Sequence, residues 1–262
     1  MKLFAAWRYA WPLAQACADT HIHVGESHVR VPGPLSIRLS VVAGNMRLHR
    51  LLDRAIRPGH LVVDVGANVG YNTVYAATRV GRDGWVVAVE PAADNVAVLR
   101  ENIAANALHN VVVHQTAAGR TNEVRDLFLR GDMSAVNSLF PESVYASVTE
   151  VVQVKVMPLD DLVEGHADVV KIDVEGAELD VLTGMTRLLR YSGIQLIVEW
   201  HPRLQEAAGY SADALPTFLL DHGFRLDVAS HARVTPLDAS GIHALADRLR
   251  RSGHPVELVA QR

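Results

Sequence analysis

The sequence predicts an α/β fold, a doubly wound parallel sheet with a small N-terminal extension. Three observations predict it. From residue 61 onward, short apolar runs alternate with amphipathic stretches, the pattern of strands feeding helices. The runs are continuously apolar, as strands covered on both faces must be. The first run ends in Asp64, a glycine-rich turn and a helix-like segment, the arrangement that places ligands at strand ends in such sheets.

The elements follow in order. Residues 1–44 form an N-terminal arm and a small β-hairpin. Residues 20–42 are rich in β-branched residues and turn formers, and Pro32-Gly33-Pro34 reads as the hairpin's turn. "MRLHRLLDRAI" carries Leu48, Leu51, Leu52 and Ala55 at helical spacing, and Pro58-Gly59 stops it. Residues 45–262 form the main domain. Its strands are "LVVDV", "WVVAVE", "VVVHQT", "ADVVKIDV" and "IQLIVEW". Between them, "DNVAVLRENIAANA" gathers Val96, Leu99 and Ile103 on one face. "AELDVLTGMTRLLR" gathers Leu179, Leu182 and Leu189. Two later helices end at Gly223 and Gly253, which suit left-handed C-terminal caps. Residues 120–157 break the rhythm and read as two strands around an irregular loop. That insertion either helps form a pocket or packs as a plain β extension.

Bulk properties exclude some functions. The chain has 262 residues, 49% of them apolar, enough for one large domain or a domain with an appendage. A net charge of −4 argues against a phosphate-backbone binder, so no nucleic-acid partner is expected. The lone Cys17 forms no intrachain disulfide, which fits a reducing cytoplasm. Ala14-Gln15-Ala16 resembles a signal cleavage site, but Arg8 and Pro12 break the preceding apolar stretch, which leaves an amphipathic helix or arm as the reading. No stretch approaches the ~20 apolar residues of a membrane span.

The turn constrains its ligand. A dinucleotide turn has glycine at its second and third positions, and here these are Asn68 and Tyr71. A phosphate-binding loop ends in Gly-Lys-Ser/Thr, which is absent. Gly66-Ala67-Asn68-Val69-Gly70 is tight and lined by an amide. It suits a nucleoside-like zwitterion such as S-adenosylmethionine (SAM). Asp64 can accept a hydrogen bond from that ligand's ammonium, directly or through water. Glu90, ending the next strand, can hold two ribose hydroxyls, of SAM or of NAD.

With "KIDVEGAE" and "VEWHP" added to "VVDVGANVGYNT", "VVAVEP", "HQTAAG" and "MPLDDL", the sequence resembles the FkbM-type SAM-dependent methyltransferases over roughly residues 45–230. The resemblance implies the Rossmann-like class I methyltransferase fold, with seven strands, the last antiparallel. It implies methyl transfer, most often to an oxygen, on sugars, polyketides and other secondary metabolites. By resemblance, Asp64, Gly66, Asn68 and Gly70 match the methionine-side turn, and Glu90 matches the ribose-binding acid. Ala117 and Ala118 match the segment passing the adenine. Asp173 and Glu175 match the acidic strand end near the transferred methyl.

Methyl transfer to an alcohol needs an in-line nucleophile and a proton acceptor. His201, in "EWHP", has the ordinary pKa for that base, or it packs at a strand end. Asp173 is the second candidate, to orient the substrate, take the proton or bind a metal. Asp173, Glu175, Glu199 and His201 together can hold Mg²⁺. Glu178 reads as a helix-dipole complement and Lys171 as an ion-pair partner. His21, His23 and His28 read as a solvated face or a metal cluster.

The function expected is O-methylation of a hydroxyl on a small-molecule or glycan-like acceptor. N-methylation, an NAD-dependent oxidoreductase and a non-catalytic nucleotide-binding module stay open. The Asn/Asp-Pro-Pro-Tyr/Phe tetrapeptide of many DNA and protein methyltransferases is absent, which argues against nucleic-acid bases. The arm, with Trp7, Tyr9 and Trp11, is a candidate homodimer contact, or covers the protein's own core or active site.

Overall fold

A computed structural model describes residues 21–24, 27–32, 35–130, 136–142, 147–230 and 233–262. The chain divides into two compact units, Met1–Gln115 and Thr116–Arg262.

The first unit opens with a hairpin, β1 (His21–Val24) and β2 (Ser27–Arg30), paired antiparallel from His21↔Arg30 to Val24↔Ser27. The reversal therefore precedes Ser27, and Pro32-Gly33-Pro34 is not the hairpin turn. Residues 35–42, expected as strand, are instead the start of a long helix, α1 (Leu35–Ala55). The sequence carries the reason: apolar residues recur at helical spacing at 37, 41, 48 and 52, and β-propensity is weak against such a pattern. Leu48, Leu51, Leu52 and Ala55 are buried, as their spacing predicts. The helix runs straight through residue 44, where the sequence reading divided extension from domain.

Strands β3 (Leu61–Val65), β4 (Trp85–Val89) and β5 (Val111–His114) follow, in parallel register from Leu61↔Trp85 and Val86↔Val111. Helices α2 (Tyr71–Val80) and α3 (Ala93–Ala105) connect them. Val62, Val63 and Val65 on β3 and Val86, Ala88 and Val89 on β4 are buried. Each such valine contributes about 1.5–3 kcal/mol of burial. These apolar strands are the rigid platform from which the polar strand ends project.

In the second unit, β6 (Ala117–Ala118), β7 (Glu123–Leu129) and β8 (Glu150–Met157) make a three-stranded sheet in the order β6-β8-β7. The two-stranded insertion expected at 120–157 is thus β7 and β8, antiparallel from Glu123↔Val156 to Leu129↔Glu150. The remaining strands are β9 (Val169–Ile172), β10 (Gln195–Trp200), β11 (Arg225–Ser230), β12 (Arg233–Leu237) and β13 (Val256–Gln261). β9 and β10 are parallel, and β13 lies antiparallel to both β10 and β11. Setting the insertion sheet and the hairpin aside, the described residues of the first unit hold three strands and those of the second five. That is one more than the seven expected, the extra being β12, hairpinned onto β11.

The second unit's helices are α4 (Leu159–Leu162), α5 (Glu178–Thr183), α6 (Pro202–Ala207), α7 (Ala214–Asp221) and α8 (Ala239–Ser252). The stretch expected as one helix over 177–190 breaks after Thr183, with a separate 3-10 turn at Leu188–Arg190. Gly184 sits at the break, and a Cβ there would overlap the carbonyl oxygen of Gly119. Gly223 and Gly253 have φ of 80° and 69°, the left-handed caps their positions predict. Among the described residues no helix is long and apolar enough to cross a membrane.

Candidate active site

In the first unit the site is built on the end of β3. Asp64 is buried, and its Oδ2 accepts a hydrogen bond from Thr73 Oγ1 of α2 at 2.6 Å. Between them the chain turns through three left-handed residues, Gly66 (φ 76°), Asn68 (φ 50°) and Gly70 (φ 89°). Asparagine tolerates such a φ better than most residues that carry a side chain, and its Oδ1 accepts from Val69 N at 2.6 Å. At Gly70 a Cβ would overlap Leu99 of α3, so glycine here also allows helix and turn to pack closely.

Glu90 locks this turn. Its Oε2 accepts from Asn68 N at 2.9 Å, and its Oε1 accepts from Ala92 N and Asn95 Nδ2, each at 3.0 Å. One buried carboxylate thus joins the turn, the end of β4 and the start of α3. Asn102 of α3 adds a further tie: its Nδ2 donates to Val69 O at 2.7 Å and to Arg30 O at 3.0 Å, and its Oδ1 accepts from Arg30 N at 2.7 Å. The hairpin is therefore bonded, through Asn102, to the turn itself.

In the second unit the register of β9 and β10 pairs Ile172 with Val198, so Asp173 and Glu199 follow as neighbours. Glu175 adopts φ 54° in the turn after β9. Asp173, Glu175 and Glu199 each offer one carboxylate oxygen, all within 4.8 Å of one another. Burial, then the Asp173 charge, pushes the carboxyls of Glu175 and Glu199 well above the usual carboxylate range. Lys171 Nζ lies 3.6 Å from Asp173 Oδ2, the ion pair expected for a lysine inside a strand. Glu178 is buried and does more than complement a helix dipole. Its Oε1 accepts from Val174 N at 3.2 Å and Gly176 N at 3.1 Å, and its Oε2 accepts from Gln205 Nε2 at 2.8 Å. Burial pushes it up to about 7.

The insertion reaches this turn. Ser138 Oγ donates to Glu175 O at 2.7 Å, and Phe128 and Ser138 exchange backbone hydrogen bonds at 2.9 and 3.3 Å. Arg130 donates to the carbonyls of Phe140 and Pro141, which fixes the loop around Ser138. The insertion is thus part of the acidic turn's support.

His201 departs from its expected role. It is buried, its Nδ1 accepts from Leu204 N at 3.4 Å as the N-cap of α6, and its Nε2 lies 3.3 Å from Gly253 O. Burial lowers its pKa. Both ring nitrogens face backbone groups, so the geometry is that of a helix cap rather than a free base. His201 is also absent from the metal-competent group, which among the described residues is Asp173, Glu175 and Glu199 alone. Ala117 and Ala118 are buried in β6, where Ala117 pairs with Val156. His23 and His28 stack edge to face at 3.9 Å, with no metal-competent group among described hairpin residues. Trp7, Tyr9 and Trp11 lie outside the described residues. The supporting residues Asn95, Asn102, Ser138 and Gln205 carried no motif signal, and Thr73, the last residue of "VVDVGANVGYNT", was given no role of its own.

Comparison with known proteins agrees with this arrangement. Residues 64–226, well over half of the chain, match the Methyltransferase FkbM domain. The hexuronic acid methyltransferase AglP of Haloferax volcanii is 30% identical over 168 residues, 63% of this chain and 65% of that protein. The AMB antimetabolite synthetase AmbE of Pseudomonas aeruginosa is 25% identical over 229 residues, 72% of this chain and 10% of that protein. The chain thus spans less than two thirds of the length of either relative. A SAM-dependent O-methyltransferase from Thermotoga maritima has a similar fold, with a TM-score of 0.50 at 12% identity, over 92% of this chain and 77% of that one. The fold is of the class I methyltransferase type, and the chain belongs to the FkbM methyltransferase domain family.

Proposed function

We propose that the protein transfers a methyl group from SAM to a hydroxyl of a small or glycan-like acceptor in the cytoplasm. The observation that carries the acceptor chemistry is the set of carboxylates at the ends of β9 and β10. A hydroxyl needs an acceptor for its proton, and a carboxylate whose pKa is raised by burial is a stronger base than an ordinary one. Glu175 and Glu199 are such carboxyls, and Asp173 beside them orients the hydroxyl. In the reaction the acceptor oxygen bonds to the methyl carbon and the carbon–sulfur bond breaks. The sulfonium charge is lost to the sulfur lone pair, and the proton passes to a carboxylate. The products are a methyl ether and S-adenosylhomocysteine (SAH). Asp64 accepts from the donor's ammonium, Glu90 from its ribose, the Gly66–Gly70 turn cradles its methionine side, and Ala117 and Ala118 flank the adenine. The AglP likeness supports a sugar-acid acceptor.

The three carboxylates also fit a hard divalent cation such as Mg²⁺ in ligand type and spacing. A cation held by Asp173, Glu175 and Glu199 would lower the pKa of a bound hydroxyl.

The test is calorimetric titration of the cofactor-free protein with SAH and with NAD. Methyl transfer from SAM to a panel of hexuronic acids, sugars and amines is then followed by mass spectrometry, with and without EDTA. SAH binding with NAD exclusion and a methyl ether product supports the reading. NAD binding alone, or a product methylated on nitrogen, overturns it. Activity unchanged by EDTA removes the cation.

A further inference from the structure

His49 of α1 takes part in neither group of site residues, yet it is 5% exposed and lies against the helix that follows the cofactor turn. Its ring is nearly parallel to two tyrosines of α2. Tyr75 lies 3.7 Å away between centroids and Tyr71 5.0 Å away, each with planes 8° apart. Tyr71 and Tyr75 are four residues apart and share a helix face. Tyr75 is held a second time, since its hydroxyl donates to Asp53 Oδ1 at 2.6 Å and Arg79 Nε donates to the same oxygen at 2.9 Å. Tyr71 is the first residue of α2 and follows Gly70 directly, and no side chain caps that helix start.

The polar atoms of His49 do not explain its place. Among the described residues its Nε2 is buried with no hydrogen bond of ordinary geometry, and the neighbouring Asn72 side chain interacts with the ring too weakly to offset its burial. A buried polar atom left so costs stability, which an apolar ring of the same shape would not. Burial holds the imidazole neutral, its pKa pushed down to about 3. What the position uses is the flat face of the ring.

We infer that His49 is a positioning residue for the methyl-donor turn, acting through the ring of Tyr71 to hold the first turn of α2, and with it Gly70, in its binding shape. The inference rests on the reading of that turn as the SAM site. It predicts that shape, not polarity, is what the site needs.

The experiment titrates SAH into the wild type and into His49→Phe, His49→Leu, His49→Ala and Leu52→Ala, with thermal midpoints measured alongside. Leu52 is buried on the same helix and serves as a control for lost packing. SAH affinity should stay within about twofold in His49→Phe and fall about tenfold in His49→Leu and His49→Ala, since only Phe keeps the stack. Leu52→Ala should lose thermal stability while keeping its affinity. Leucine binding as well as phenylalanine overturns the inference, as does an equal affinity loss in Leu52→Ala. Should His49→Ala not fold, the Phe and Leu pair decides. A wild type that fails to bind SAH overturns the cofactor reading itself, and this inference with it.

Discussion

At Glu90 a single side chain closes the turn, starts α3 and ends β4; the sequence marked it as a strand-end acid facing a ribose, and the bond to Asn68, 22 residues away, that locks the turn was not legible. Asp64, Gly66, Asn68 and Gly70 were legible, since their roles follow from one strand, one turn and the start of one helix. Asn102 was not legible. Its partners Val69 and Arg30 lie 33 and 72 residues away, and nothing near it in sequence marks it. His201 was legible as a strand-end residue, but its task was not, because a cap and a base draw on the same ring nitrogens. The two are separable by substitution. Asparagine caps a helix well and alanine does not, so His201→Ala should cost about 1 kcal/mol of stability and His201→Asn very little. With methyl transfer as the readout, turnover of His201→Asn should stay within about threefold of wild type. A loss of about a hundredfold in that variant, with SAH affinity intact, would return the base role to His201.

The parallel strands β3, β4, β5, β9 and β10 were readable because they are continuous apolar runs, whereas the antiparallel β11, β12 and β13 were not picked out. Helix extents were less readable. In α1 the β-branched residues before residue 43 mimic a strand, and only the period across the whole stretch gives the helix. In α5 the helical period continues past Thr183, but Gly119 approaches Gly184 too closely for the packing to continue, a long-range contact that no local rule encodes. This makes a prediction about two glycines of different kinds. Gly59 has φ 84° but open space around it, so Gly59→Ala costs only the left-handed backbone, about 1 kcal/mol. Gly184 has an ordinary φ, yet its Cβ would collide with a backbone oxygen that no side-chain rotation relieves. Gly184→Ala should therefore cost more than Gly59→Ala, roughly 3 kcal/mol or above, by overpacking. Urea midpoints of the two variants check the order, and a reversed order would show that the backbone at Gly184 yields freely.

Two buried groups on different units, His49 and Glu178, contribute to stability against pH in opposite directions. His49 has its pKa lowered to about 3, so between about pH 3 and 6.5 the unfolded chain binds a proton that the folded chain does not. Its contribution to stability therefore rises with pH across that window and is complete above it. Glu178 has its pKa raised to about 7, so between about pH 4.5 and 7 the folded chain binds the extra proton. Its contribution is fully present below the unfolded value and is lost as pH rises through 7. Each slope is at most about 1.4 kcal/mol per pH unit. Between about pH 4.5 and 6.5 the two cancel, and the wild type should carry almost no slope from this pair. Removing one group takes its slope away. Relative to the wild type, His49→Phe should lose stability as pH rises from about 3 to 6.5, and Glu178→Gln should gain stability as pH rises from about 4.5 to 7. Thermal midpoints of the three proteins at half-unit pH steps measure this directly. Parallel curves for the two variants would mean that these groups do not govern the pH response. Curves that depart from the wild type in opposite senses would tie part of it to a histidine that stacks against the helix after the Gly66–Gly70 turn and a glutamate that braces the acidic turn.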